Sequence, residues 1–215
     1  MPGALGKVRE KPRGWWILTI LAIAIALYGL RHAFLGERAF VAVLADSFRA
    51  RPWGIFSHAL LASIALAIGP FQFHRGLLMR RRALHRRLGQ VYVVCAFLGG
   101  GVSGLYVAAY SHGGWITHLG FGLLAVFTGT ATALAYLRIK ARNIEAHRSW
   151  MIRGFALLFA AVTLRLWLPL LLALHGGDFT PAYQWVSWLC WVPNLLFAEW
   201  LIARRSARNP LSRTI

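Results

Sequence analysis

Acidic side chains are scarce in this chain. Six Asp and Glu stand against 24 Lys and Arg among 215 residues, a formal net charge of +18. Cysteine is scarcer still: Cys95 and Cys190 both fall inside apolar runs, which argues against a disulfide and against a thiolate metal site. No low-complexity tract, independent soluble domain or convincing internal repeat is visible. So basic a chain could suggest nucleic acid, but its Lys and Arg are not interleaved with any groove-reading element, so none is expected as a partner. What is abundant is apolar sequence, 58% of the residues, and it comes in runs of about twenty, the length that crosses a bilayer. We expect an all-α integral membrane protein of six transmembrane helices in one bundle, with the lipid bilayer as its partner and spans two to five as a four-helix core.

In chain order, a basic tail (1–14) precedes an apolar run from Trp15 to about Leu35. No small-residue cleavage site is evident, so a retained helix is expected. Residues 36–52 place Phe40, Val41, Leu44 and Phe48 on one side of a helical wheel, the pattern of a short interfacial helix. The second span is expected over about 55–78, with a Gly69-Pro70 kink, and the third over 88–110, rich in glycine. The fourth follows over 115–137. The fifth runs through Arg138–Leu166 to near His175, and the sixth over about 183–203, kinked by Pro193. The membrane domain thus covers 15–203, and a second basic tail closes the chain at 204–215.

Six spans put both termini on one side. That side carries nineteen Lys and Arg, with four in 7–13, six in 75–87, five in 138–153 and four in 204–213. The opposite side carries Arg31, Arg38, Arg49 and Arg51. Positive charge accumulates on cytoplasmic loops, so both termini are expected in the cytoplasm.

Ionisable residues inside a span are costly and normally face protein or a cavity. Arg165 lies eighteen residues beyond His147, about 27 Å along a helix, and so deep in the far half of the fifth span. The histidines sort by height. His58 and His118, on spans two and four, sit about one turn inside the outer boundary, and His85 and His147, on spans three and five, sit at the inner one. Alternate helices of a bundle face one another across its centre. Two pairs of imidazoles result, and two facing imidazoles are the axial ligand set of a six-coordinate haem iron. One turn after His85 and His118 come Gly89 and Gly122, which leave room beside a macrocycle. Arg165 at the outer pair and Arg153 at the inner pair are candidate propionate partners. His74 is the first substitute for the inner pair.

The stretches HALLASIALAIGPFQF, LHRRLGQVY and HLGFGLLAVFTGTATALAYLRIKARNIEAHRSWMIRGFALLFAAVTLRL, between His58 and about Leu166, resemble the domain-of-unknown-function family 2306 of predicted bacterial membrane proteins. That resemblance implies a multi-pass protein of the bacterial cytoplasmic (inner) membrane and no particular activity. The histidine arrangement is similar to that of six-helix di-haem b-type cytochromes, which include ferric reductases. By that likeness His58 and His118 hold one haem b and His85 and His147 the other. The expected function is transmembrane electron transfer, with a quinol or small reductant as donor. The alternatives are a small transporter or proton-coupled carrier with an inward His/Arg site, and a non-catalytic scaffold.

Overall fold

The computed structural model describes residues 13–35, 38, 44–45 and 49–208. The interfacial helix expected over 36–52 falls largely outside the described residues, as do Glu37, Asp46 and most of both tails.

Every regular element among the described residues is helical. Helix α1 is Arg13–Leu35 and α2 is Pro52–Gln72. A short α3, Arg75–Arg80, leads into α4, Arg82–Cys95, which continues as a π-helical segment, Ala96–Val102, and then as α5, Ser103–Ala108. The remaining helices are α6 (Trp115–Lys140), α7 (Ile144–Leu158), α8 (Ala160–Leu174), α9 (Phe179–Leu189) and α10 (Val192–Arg208). They combine into six helices long and apolar enough to cross a membrane: Gly14–His32, Pro52–Gln72, Arg82–Ala108, Trp115–Lys140, Ile144–Leu174 and Phe179–Ala207. The protein is an integral membrane protein with six spans. The strongly basic stretches at 75–87 and 138–148 mark one end of the bundle, the basic face, and the connections at 109–114 and 175–178 mark the far face.

Several boundaries differ from expectation for local reasons. The second span ends at Gln72, not Leu78, because the chain breaks at Phe73–His74. There His74 Nδ1 accepts from Leu77 N at 2.9 Å and caps α3. His74 is thereby spent as a cap. The third span begins at Arg82, six residues early, so His85 stands inside α4 and not in a loop. Asn143 Oδ1 accepts from Ala146 N at 2.9 Å and starts the fifth span. Asp178 does the same for the sixth, accepting from Thr180 N at 3.0 Å.

Lipid tails are as apolar as leucine, so burying leucine gives helices little reason to associate in a bilayer. Close backbone packing through small residues does. A Cβ at Gly99 would stand 2.5 Å from Leu61 Cβ and 2.6 Å from Ala62 N, so only glycine lets the π segment meet α2. On the other side of the same segment, a Cβ at Gly101 would stand 3.0 Å from Gly129 Cα of α6. One buried cluster joins Ala65, Tyr92, Ala96, Ala135, Phe155 and Leu158, so spans two to five meet in it, with Ala22 and Ala26 of span one against it. A second, with Leu157, Ala160, Val186, Cys190 and Trp191, attaches span six to spans four and five.

Spans five and six each break their helix, at Phe159 and at Cys190–Trp191, and the two breaks are tied together. The Thr163 hydroxyl donates to Cys190 O, and Asn194 Nδ2 donates to Cys190 O at 2.9 Å, to Thr163 Oγ1 at 3.0 Å and to Ala156 O at 3.2 Å. Backbone groups freed from helical pairing inside a bilayer need such partners.

Candidate functional site

The glycine-rich run AFLGGGV winds as a π-helix, and that winding fixes His58. In an α-helix Ser103 N would bond Gly99 O; here it bonds Leu98 O. Gly99 O instead accepts from the Ser103 hydroxyl at 2.9 Å and, across the helix interface, from His58 Nδ1 at 2.8 Å. A carbonyl can only accept, so Nδ1 carries the proton and Nε2 keeps its lone pair. His147 is held in the same way: its Nδ1 donates to Ala135 O of α6 at 2.7 Å, again leaving Nε2 as the basic nitrogen. An Nδ1–H on a backbone carbonyl is the arrangement that orients a ligating imidazole.

His85 and His147 are brought within electrostatic reach of each other, and His85 Nδ1 is buried with no hydrogen-bond partner. The structure does not join His118 to His58 in this way. His118 Nε2 donates to Ser111 O at 2.9 Å, back toward the loop before its own helix, and His118 does not line the cavity that His58 lines. The other candidates are placed as follows. A Cβ at Gly89 would be 3.1 Å from Gln72 Oε1, so the Gln72 amide occupies the space beside that glycine. Gly122 has only Leu105 Cδ1 near it, at 3.9 Å. Arg153 forms a two-pronged ion pair with Glu199, Nε to Oε1 at 2.5 Å and an Nη to Oε2 at 2.8 Å, over the face of Trp150. Its guanidinium is therefore already neutralised by protein.

Arg165 has no such partner. One Nη donates to Ala161 O at 2.7 Å, one turn back on its own helix, and its carbon lies 4.9 Å from the centre of the Tyr28 ring. Its Nε is buried and unpaired, and no carboxylate among the described residues bonds to it. Arg165 and His58 both line one cavity of about 590 Å³ in the far half of the bundle. Near the basic face, Gln72 Nε2 and the Tyr92 hydroxyl are also buried without partners. Sequence reasoning passed over both, and also Glu199 as the partner of Arg153. Among the described residues no group of three or more His, Cys, Asp or Glu is disposed to hold a metal ion.

Six spanning helices around these half-buried histidines define a multi-pass membrane protein. The chain belongs to the DUF2306 family of predicted membrane proteins, whose family model matches residues 55–202 and so takes in His58, His85, His118, His147 and Arg165. No curated protein and no solved structure matches the chain.

Proposed function

We propose that the protein is a membrane electron carrier in which His85 and His147 hold a b-type haem near the basic face. The observation that carries this reading is the state of the two rings. His147 presents Nε2 with Nδ1–H anchored on Ala135 O, and its neighbour His85 has a buried nitrogen with nothing to bond. Once bound, the haem supplies a one-electron couple, and the protein supplies ligands, orientation and a low dielectric. The Ala135 carbonyl fixes the His147 tautomer and raises its basicity. Gln72 fills the space beside Gly89, but its Nε2 has no partner, so its amide can move aside with no hydrogen bond of that nitrogen to break. Arg86 and Arg148, exposed next to the two histidines in sequence, are the carboxylate partners on this face, since Arg153 belongs to Glu199. A second haem in the far half would take His58 and would require His118 to turn from Ser111. A membrane quinol or a small soluble reductant is the donor class.

The test is a reduced-minus-oxidised absorption spectrum of detergent-purified protein expressed with ample haem precursor. The expected result is a low-spin, bis-imidazole b-type spectrum. Colourless protein that is folded and monodisperse overturns the reading.

A further inference from the structure

We infer that the far-half cavity is a binding site for one anion-headed amphiphile, a carboxylate or phosphate head on a hydrocarbon chain. The inference stands apart from the haem near the basic face.

Three observations carry it. The first is shape. The described lining runs along α2 from Arg51 at the far boundary to Leu66, on the order of 20 Å at the helical rise, so the cavity is long and stands parallel to the spans. The second is polarity along that length. Arg38, Arg51 and Ser111 line the far-face end, while Leu66, Leu158 and Gly100 line the end near the bundle centre. A site that is polar and cationic at one end and apolar at the other, lying along the spans, matches a lipid chain in shape and polarity.

The third is the charge of Arg165. A guanidinium inside a span is costly unless an anion or water compensates it. Its own helix satisfies one Nη, the Tyr28 ring offers a π-face, and the buried Nε is left over. The nearby polar groups do not neutralise it. His58 and His32 lie within its electrostatic reach and carry no negative charge. A single anionic head at Arg165 would take a charge-assisted pair in a low-dielectric setting, where such pairs are strongest. The chain of the ligand would then extend toward Leu66 and Leu158.

The experiment uses the purified full-length protein in a non-ionic detergent, with cis-parinaric acid as the fluorescent probe. Displacement is measured with oleate, dioleoylphosphatidate, methyl oleate and haemin. Oleate or dioleoylphosphatidate should displace the probe, and whichever does so at lower concentration identifies the source as free acid or phospholipid. Methyl oleate, with the same chain and no charge, should fail. Arg165→Gln should weaken parinarate binding about tenfold or more, with Arg165→Lys intermediate. Ala62→Phe narrows the cavity while keeping Arg165 and should also weaken the probe, so the test survives if Arg165→Gln does not fold. Equal displacement by methyl oleate, or a folded Arg165→Gln with unchanged affinity, overturns the inference. Displacement by haemin alone overturns it in favour of a far-half haem. Restored wild-type thermal stability in Arg165→Gln combined with Glu37→Gln or Asp46→Asn overturns it in favour of an internal ion pair.

Discussion

His58 and Gly99, forty-one residues apart, are joined by a 2.8 Å hydrogen bond from an imidazole Nδ1 to a backbone carbonyl. The bond needs three things at once: a π-wound segment, a glycine that lets α2 approach, and a histidine six residues into α2. It fixes the tautomer of His58, which lines the same cavity as Arg165, so that its second nitrogen is left as an acceptor.

The glycine is the testable part. Gly99→Ala places a methyl group within 2.6 Å of Ala62 N, a backbone atom that no rotamer change can move. The expected cost is about 3 kcal/mol, the upper part of the overpacking range. Gly122→Ala meets only Leu105 Cδ1 at 3.9 Å and should be neutral or stabilising by up to about 1 kcal/mol through helix propensity. Thermal unfolding in detergent checks both. Equal losses would mean that the π segment does not pack as described.

The loop charges predict the orientation. With Cys95 and Cys190 both buried, single-cysteine labelling has a low background. Ala83→Cys should react with a membrane-impermeant maleimide only after the cytoplasmic side is opened. Trp115→Cys, at a position 70% exposed, should react from outside in intact cells. Position 113 is a poorer reporter, because its φ of +98° strains any residue but glycine. The reverse labelling pattern would invert the topology.

The Arg153–Glu199 pair should be worth about 1 kcal/mol in a double-mutant cycle of Arg153→Leu and Glu199→Gln, since its side chains are 23% and 45% exposed. Two-pronged geometry places it at the upper end of the range for exposed pairs. If the two substitutions are additive in thermal unfolding, the pair contributes nothing beyond packing.

Asn194→Leu removes the donor that serves Cys190 O, Thr163 Oγ1 and Ala156 O at the paired helix breaks. Losing it should lower stability by about 2–3 kcal/mol, measured by denaturant titration in micelles, because the acceptors stay buried. Asn194→Asp should cost more, since it adds a charge and removes the donating amide.

How much of this could be read from the residues depends on which coordinate is asked for. A residue's position along an apolar run gives its depth at 1.5 Å per residue, and the runs themselves are enough to find the six spans. Rotation about each helix axis is not written in the run, because a span surrounded by lipid and protein has no strongly polar side to mark. His118 therefore does not line the cavity that His58 lines, while His85 and His147 lie within electrostatic reach of each other. The same missing angle hid Glu199 from Arg153, forty-six residues away. The π winding of AFLGGGV was invisible for another reason: α and π periods differ by less than one residue per turn, and seven apolar residues, three of them glycine, cannot tell them apart.

The most direct test of the electron-carrier reading is haem content per folded chain in four single variants. His85→Ala and His147→Ala should each lose the b-type spectrum or convert it to a high-spin, weakly held form. His118→Ala, whose Nε2 is already given to Ser111, should keep wild-type haem content, and so should His58→Ala. Unchanged haem in His85→Ala and His147→Ala would contradict the account, and so would its loss in His118→Ala alone.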